Sequence, residues 1–136
     1  ISAESALRIP TRDWRWTPYK SHIAIGKLYF AHDVGFCGVS CARQSVAAFG
    51  GSIIFGHSHQ AQTHYMGTMN GDRHVGMTCG WLGDASKIDY AHQSKVAVSS
   101  QHGFGVAYVL PSGEHWSSFV PIVRGKAVVD GKLYAP

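Results

Sequence analysis

Ile53-Ile54-Phe55-Gly56-His57-Ser58-His59 is the stretch whose reading decides the fold. Ile53 to Phe55 is β-branched and aromatic, with Gly50-Gly51-Ser52 before it and Gly56 after it, which predicts a short buried strand. The strand ends at Gly56, so His57 and His59 fall where it opens into a loop. In extended chain, side chains at i and i+2 point the same way. Two imidazoles converging on one small volume are what a metal ion needs. The glycine lets the backbone turn and lets a ligand approach closely. A plainer reading stands beside this one: with 9 histidines in 136 residues, a His-x-His pair can arise by chance.

Working outward, Gly38 to Phe49 reads as a helix, with Val39, Cys41, Ala42, Val46 and Phe49 as its apolar stripe and Gly50-Gly51 as its stop. Before it, Ile23-Ala24-Ile25 and Leu28-Tyr29-Phe30 flank Gly26-Lys27, the pattern of a hairpin. The second of these strands delivers His32. Strand, helix and strand then form an αβ unit that lays the strand of Ile53 beside the strand of Leu28. That brings His32 to the same sheet edge as His57 and His59, the edge where α/β proteins place ligands. Asp33 follows His32 directly.

Downstream, Gln60 to Gly80 reads as two strands joined at Asn70-Gly71-Asp72. Phe104 to Leu110, Ser118 to Val123 and Lys126 to Tyr134 read as three more strands, turned at Pro111-Ser112-Gly113 and at Arg124-Gly125. His64 and His74 each read as surface or packing residues, with His64 the better candidate of the two for a phosphate contact. His102 and His115 lie in or beside loops. Asp84 and His92, in a Gly-rich turn and the stretch after it, are polar residues that could reach the site.

Phe55-Gly56-His57-Ser58-His59 resembles the Gly-His-x-His signature of calcineurin-like metallophosphoesterases. Lys27-Leu28-Tyr29-Phe30-Ala31-His32 resembles the strand that ends in that family's preceding metal-binding histidine. Gly80-Trp81-Leu82-Gly83-Asp84 and the β-rich tail resemble phage and bacterial members. The resemblance runs from about Ser21 to Tyr134, and it corresponds to the C-terminal half of the family's domain. It implies an α/β fold, the β-rich C-terminal half of a layered α/β/β/α sandwich, over residues 21–136; residues 1–20, broken by Pro10 and Pro18, read as an irregular arm before it. It implies that His32 and His57 bind one metal and His59 the other. The family usually has glycine after the first of these histidines. Here Asp33 stands there, able to orient an imidazole from behind it.

A two-metal phosphoesterase holds its divalent ions roughly 3.5–4 Å apart, where they activate water and neutralise charge on the phosphoryl group. Mn, Zn, Fe or Ni all suit mixed nitrogen and oxygen ligation. The family's remaining ligands come from Asp-x-His, Gly-Asp and Gly-Asn-His motifs in the N-terminal half. Gly-Asn-His does not occur here, and the single Asp-x-His, Asp72-Arg73-His74, follows the Gly-His-x-His motif, as Gly71-Asp72 and Gly83-Asp84 also do. The resemblance therefore implies that this chain lacks the bridging carboxylate and the histidine that protonates the leaving group. Three explanations are open: a split enzyme completed by a second polypeptide carrying those motifs, a cleaved or truncated product, or a non-catalytic structural or interaction protein with relict histidines. The expected assembled activity is hydrolysis of a phosphate ester, a phosphodiester or nucleic acid first, in the cytoplasm (of the host, if phage-encoded).

Composition bounds the rest. Apolar residues make up 45% of the chain, enough for one core and too many for a disordered segment. Gly is frequent and charge sparse, as in β-rich chains with many turns. No apolar run reaches ~18 residues, so no membrane helix is predicted. The net charge of +4 suits a phosphate-bearing partner, but Lys and Arg are scattered and an ordinary solvated surface explains it equally. Three cysteines, an odd number, predict reduced thiols, buried rather than ligating zinc, although Cys37 and Cys41 would share a helix face. The chain begins at Ile1, so it is either processed or starts further upstream. Asp13-Trp14-Arg15-Trp16 is an aromatic-basic patch that would anchor the arm to a neighbouring surface or stack bases.

Overall fold

The computed structural model describes residues 16–83 and 100–136. The chain is a mixed α/β fold rich in strands, with one α-helix among the described residues. Strands β1 (His22–Ile25) and β2 (Leu28–Ala31) form the expected hairpin. Helix α1 (Cys41–Phe49) and strand β3 (Ser52–Phe55) follow, and β3 lies parallel to β2 with Ala31 opposite Phe55. Strands β4 (Ala61–Gly67) and β5 (Arg73–Cys79) are the second hairpin, and β5 pairs parallel to β3. The result is a five-stranded sheet in the order β1-β2-β3-β5-β4. Its three central strands run parallel, so the ends of β2 and β3 open on one edge.

The strand β3 is buried along its whole length because both faces of the sheet are covered. Ile53 and Phe55 face α1, packing with Cys41 and Phe49. Ile54 faces the other way, with Leu28, Val75 and Met77, against Ala107 and Val109 of the next sheet. Adjacent side chains on a strand point to opposite faces, so an unbroken apolar run is what a sandwiched strand requires. Strands β6 (Gly103–Val109) and β7 (His115–Pro121) form that second sheet, two strands wide among the described residues. The helix thus covers one face of the five-stranded sheet, and the two-stranded sheet packs on the other.

Helix α1 begins later than the sequence pattern suggests. Val39 precedes it and is 92% exposed, so it takes no part in the apolar stripe. The buried face is Cys41, Ala42, Ser45 and Val46. Ser40 makes no side-chain cap. Instead Gln62, reaching from β4, accepts from the Ala42 N–H at 3.3 Å and donates through Nε2 to the Gly38 carbonyl at 2.8 Å. The orphan groups at a helix start need such partners, and here a neighbouring strand supplies one. The helix stops at Gly50, whose N–H bonds the Val46 carbonyl.

The stretch from Lys126 to Tyr134 departs from expectation. It is a hairpin of β8 (Ala127–Val129) and β9 (Lys132–Tyr134), not one strand. Asp130 and Gly131 both have positive φ, 49° and 75°. Two consecutive left-handed residues make the tight turn that matches strand twist, and Asp-Gly is a favoured pair for it.

Cysteine burial is also uneven. Cys41 is fully buried, and Cys79 is half-buried with its thiol pushed up to about 11 by desolvation. Cys37, expected to be buried, is exposed because the helix starts only at Cys41. For the same reason Cys37 and Cys41 do not share a helix face. Brief treatment of the native protein with iodoacetamide is expected to label Cys37 alone. Mass mapping should show Cys41 and Cys79 modified only after denaturation, since the thiolate is the reactive form. Equal labelling of all three in the native state would contradict this packing. No helix among the described residues is long and apolar enough to cross a membrane.

Candidate metal and phosphate site

The site is built where β2 and β3 end. The Gly56 N–H donates to the His32 carbonyl at 3.1 Å, extending the parallel ladder by one step past the strands. Beyond that bond the two chains separate, and the rings of His32 and His57 meet edge to face, 5.5 Å between centroids. Both side chains are exposed. The topology thus brings these two sequence-predicted ligands together.

His59 behaves differently from the i, i+2 expectation. His57 and His59 are not extended; both are left-handed, with φ of 63° and 56°. The alternation that governs strands does not apply to such a loop. His57 turns to His32, whereas His59 stacks flat on Trp81, centroids 5.0 Å apart and planes 15° apart. A left-handed conformation costs a residue with a Cβ roughly 1–2 kcal/mol, so two in three residues need restraints. Ser58 supplies one through a hydroxyl–hydroxyl bond of 2.9 Å to Thr78, a fully buried residue of β5. The backbone supplies the others. The Gly80 N–H donates to the Gln60 carbonyl, and the Gln101 N–H to the His59 carbonyl, at 3.0 and 2.9 Å.

Asp33 is committed to its own loop. Its carboxylate accepts from the Gly35 N–H at 2.7 Å and from the Tyr19 hydroxyl at 2.8 Å. The Gly35 bond first, then the Tyr19 bond and the nearby His57, hold its carboxyl below the ordinary carboxylate range. Asp33 therefore fixes the turn after His32 and places a negative charge within electrostatic reach of His57. Tyr19 also approaches His32, ring centroids 6.0 Å apart. With Trp16, Ile23, Phe30 and His32 it lines a cleft of about 350 Å³ that reaches the site edge.

His64 lies elsewhere. It is half-buried on β4 opposite Gly76, in a cleft shared with Ser40, Arg43 and Gln62 on the helix side of the sheet. Asp84 and His92 fall outside the described residues, as do residues 13–15 of the aromatic-basic patch. Among the described residues, no group of three or more His, Cys, Asp or Glu side chains is close enough to hold an ion unaided. His32 and His57 are a two-nitrogen partial set.

Trp81 and Tyr19 are the site residues that sequence reading missed. Trp81 had a signal in its setting, Gly80-Trp81-Leu82-Gly83, where glycines on both sides make room for a large ring. Tyr19 had none, lying in what reads as an arm. No protein-family model, no curated protein and no solved structure matches this chain.

Proposed function

We propose that this chain is the C-terminal part of a metal-dependent phosphoesterase, completed by a second polypeptide that carries the remaining ligands. The observation that carries the reading is the meeting of His32 and His57 at the adjacent ends of two parallel strands. Strained backbone at both His57 and His59 adds to it, because such strain persists where surrounding structure enforces it and concentrates at functional sites. The donor set fits divalent ions of the Mn, Zn, Fe or Ni type, being imidazole nitrogen on a fixed loop. His32 and His57 would hold one ion and His59 a second. When bound, the ions would activate water and offset charge on the phosphoryl group.

The chain's own contribution is orientation. Gly56 and His32 share the last ladder bond, Ser58 pins the loop to β5, and Asp33 fixes the turn beyond His32. The substrate is proposed to be a phosphodiester. The aromatic cleft beside His32 suits a planar base, and the net charge of +4 suits a polyanion. Three free cysteines suit a reducing, cytoplasmic setting.

The need for a partner is carried by the layers. A five-stranded sheet is faced by a sheet of two strands among the described residues. Phe30, packed against the edge of the core on that side, and Ile23 line an open cleft beside it. Sheet faces left in this state mark places where another surface docks. Native mass spectrometry of the protein isolated from its source, with metals retained, tests this. The expected result is a complex with a second polypeptide carrying Asp-x-His and Gly-Asn-His, and two metal ions. A metal-free chain, alone or bound only to copies of itself or to structural proteins, would replace this reading with a non-catalytic assembly role.

A further inference from the structure

The geometry points to Trp81 as the positioning residue for His59, with Gly83 kept small so that the indole can lie where it does. The packing stands by itself; its functional meaning rests on the metal-site reading above. His59 sits on left-handed backbone in a loop, where an unrestrained imidazole would sample several rotamers. The flat stack on Trp81 removes that freedom. It does so through the ring face. Both ring nitrogens lie in the imidazole plane, so a face contact fixes their direction without occupying either one. A hydrogen-bonding neighbour would have taken one of them. Stacking is thus the restraint that leaves the donor edge open to a ligand.

Trp81 is itself held on two sides. Its N–H donates to the Gln101 carbonyl and its carbonyl accepts from the Gly103 N–H, both at 3.0 Å. It forms a bridge with His102 that ties the loop after β5 to the start of β6. A Cβ on Gly83 would fall 2.4 and 2.5 Å from two carbons of the indole six-membered ring. Any side chain there pushes the indole away from its place. The indole is therefore placed by backbone bonds at one end and by the bare Gly83 backbone at the other, and it passes that placement to His59.

The test compares Trp81→Leu, Trp81→Phe, Gly83→Ala and His59→Ala, each isolated with any partner polypeptide retained. One readout is the imidazole proton shifts of histidine-labelled, metal-free protein. The other is Co²⁺ affinity from its absorption bands. In the unaltered protein one imidazole, identified by its loss in His59→Ala, is expected to be shifted upfield by the indole ring current. Trp81→Leu and Gly83→Ala should both abolish that shift and weaken Co²⁺ binding roughly 10–100-fold, the range seen when a ligand's supporting neighbour is lost. Trp81→Phe, which keeps an aromatic face, should restore most of both. If Trp81→Leu fails to fold, Gly83→Ala and Trp81→Phe carry the comparison. Unchanged Co²⁺ affinity in Gly83→Ala or Trp81→Leu, alongside a weakened His59→Ala, would overturn the inference and leave the phosphoesterase reading standing. Unchanged affinity in His59→Ala would remove His59 from the metal site and take this inference with it.

Discussion

Replacing Gly76 by valine is expected to destabilise the protein by about 3 kcal/mol or more, at the upper end of what overpacking costs. A Cβ at Gly76 would stand 2.3 Å from the Ala42 carbonyl oxygen and 2.9 Å from the Val46 Cβ. The first of these is helix backbone, so no rotamer change can relieve it, and α1 has to lift off the sheet. Lifting α1 exposes Cys41 and Val46 and loosens the grip of Gln62 on the helix start. It also disturbs β5 where Gly76 lies opposite Ile53, one strand from the histidine loop. Thermal unfolding followed by circular dichroism should show a melting temperature lower by about 10 °C or more. Gly67→Ala is the control. It lies on β4 with open space around it, and little or no change is expected there. Similar losses at both positions would mean that the close approach of α1 to β5 is not what makes Gly76 necessary.

His57→Gly should separate stability from function. The φ of 63° at His57 costs a residue with a Cβ roughly 1–2 kcal/mol, which glycine escapes. Glycine gives back about 0.5–1 kcal/mol through its freer unfolded state. The net expectation is a stability within about 1 kcal/mol of the starting protein, on the favourable side. If the proposed phosphoesterase function holds, phosphodiester hydrolysis by the complete assembly should nonetheless fall by about a thousandfold, because a lost metal ligand would forfeit several kcal/mol of transition-state stabilisation. The double substitution His57→Ala and His59→Ala should abolish turnover on a chromogenic phosphodiester. A binding or structural protein would keep its function through all of these changes. Retained turnover in the double variant would remove the catalytic reading.

The elements that carry this site were legible where local chemistry dictates them. The hairpin around Gly26-Lys27, the buried strand of Ile53 to Phe55, and the turn at Asn70-Gly71-Asp72 all follow from apolar runs bounded by turn residues. Their existence and order fixed the parallel pairing of β2 with β3, and with it the meeting of His32 and His57. The Asp130-Gly131 turn was equally present in the residues, but a run of apolar positions on either side masked it as one strand. The start of α1 was read too early because Val39 fits a helical spacing that the backbone does not extend to.

Sequence by itself determined the hairpin of β1 and β2, the burial of β3 on both faces, and which histidines stand at strand ends, because those depend on neighbours within a few residues. Only the tertiary structure decided where each imidazole goes. His57 and His59 leave the extended conformation because Ser58 is pinned to Thr78 on another strand. Trp81, brought in by the loop after β5, takes the face of His59. Tyr19 reaches Asp33 across fourteen residues and closes the turn beyond His32. Side-chain direction in a loop is set by contacts between segments distant in the chain, and no periodicity along the sequence records them.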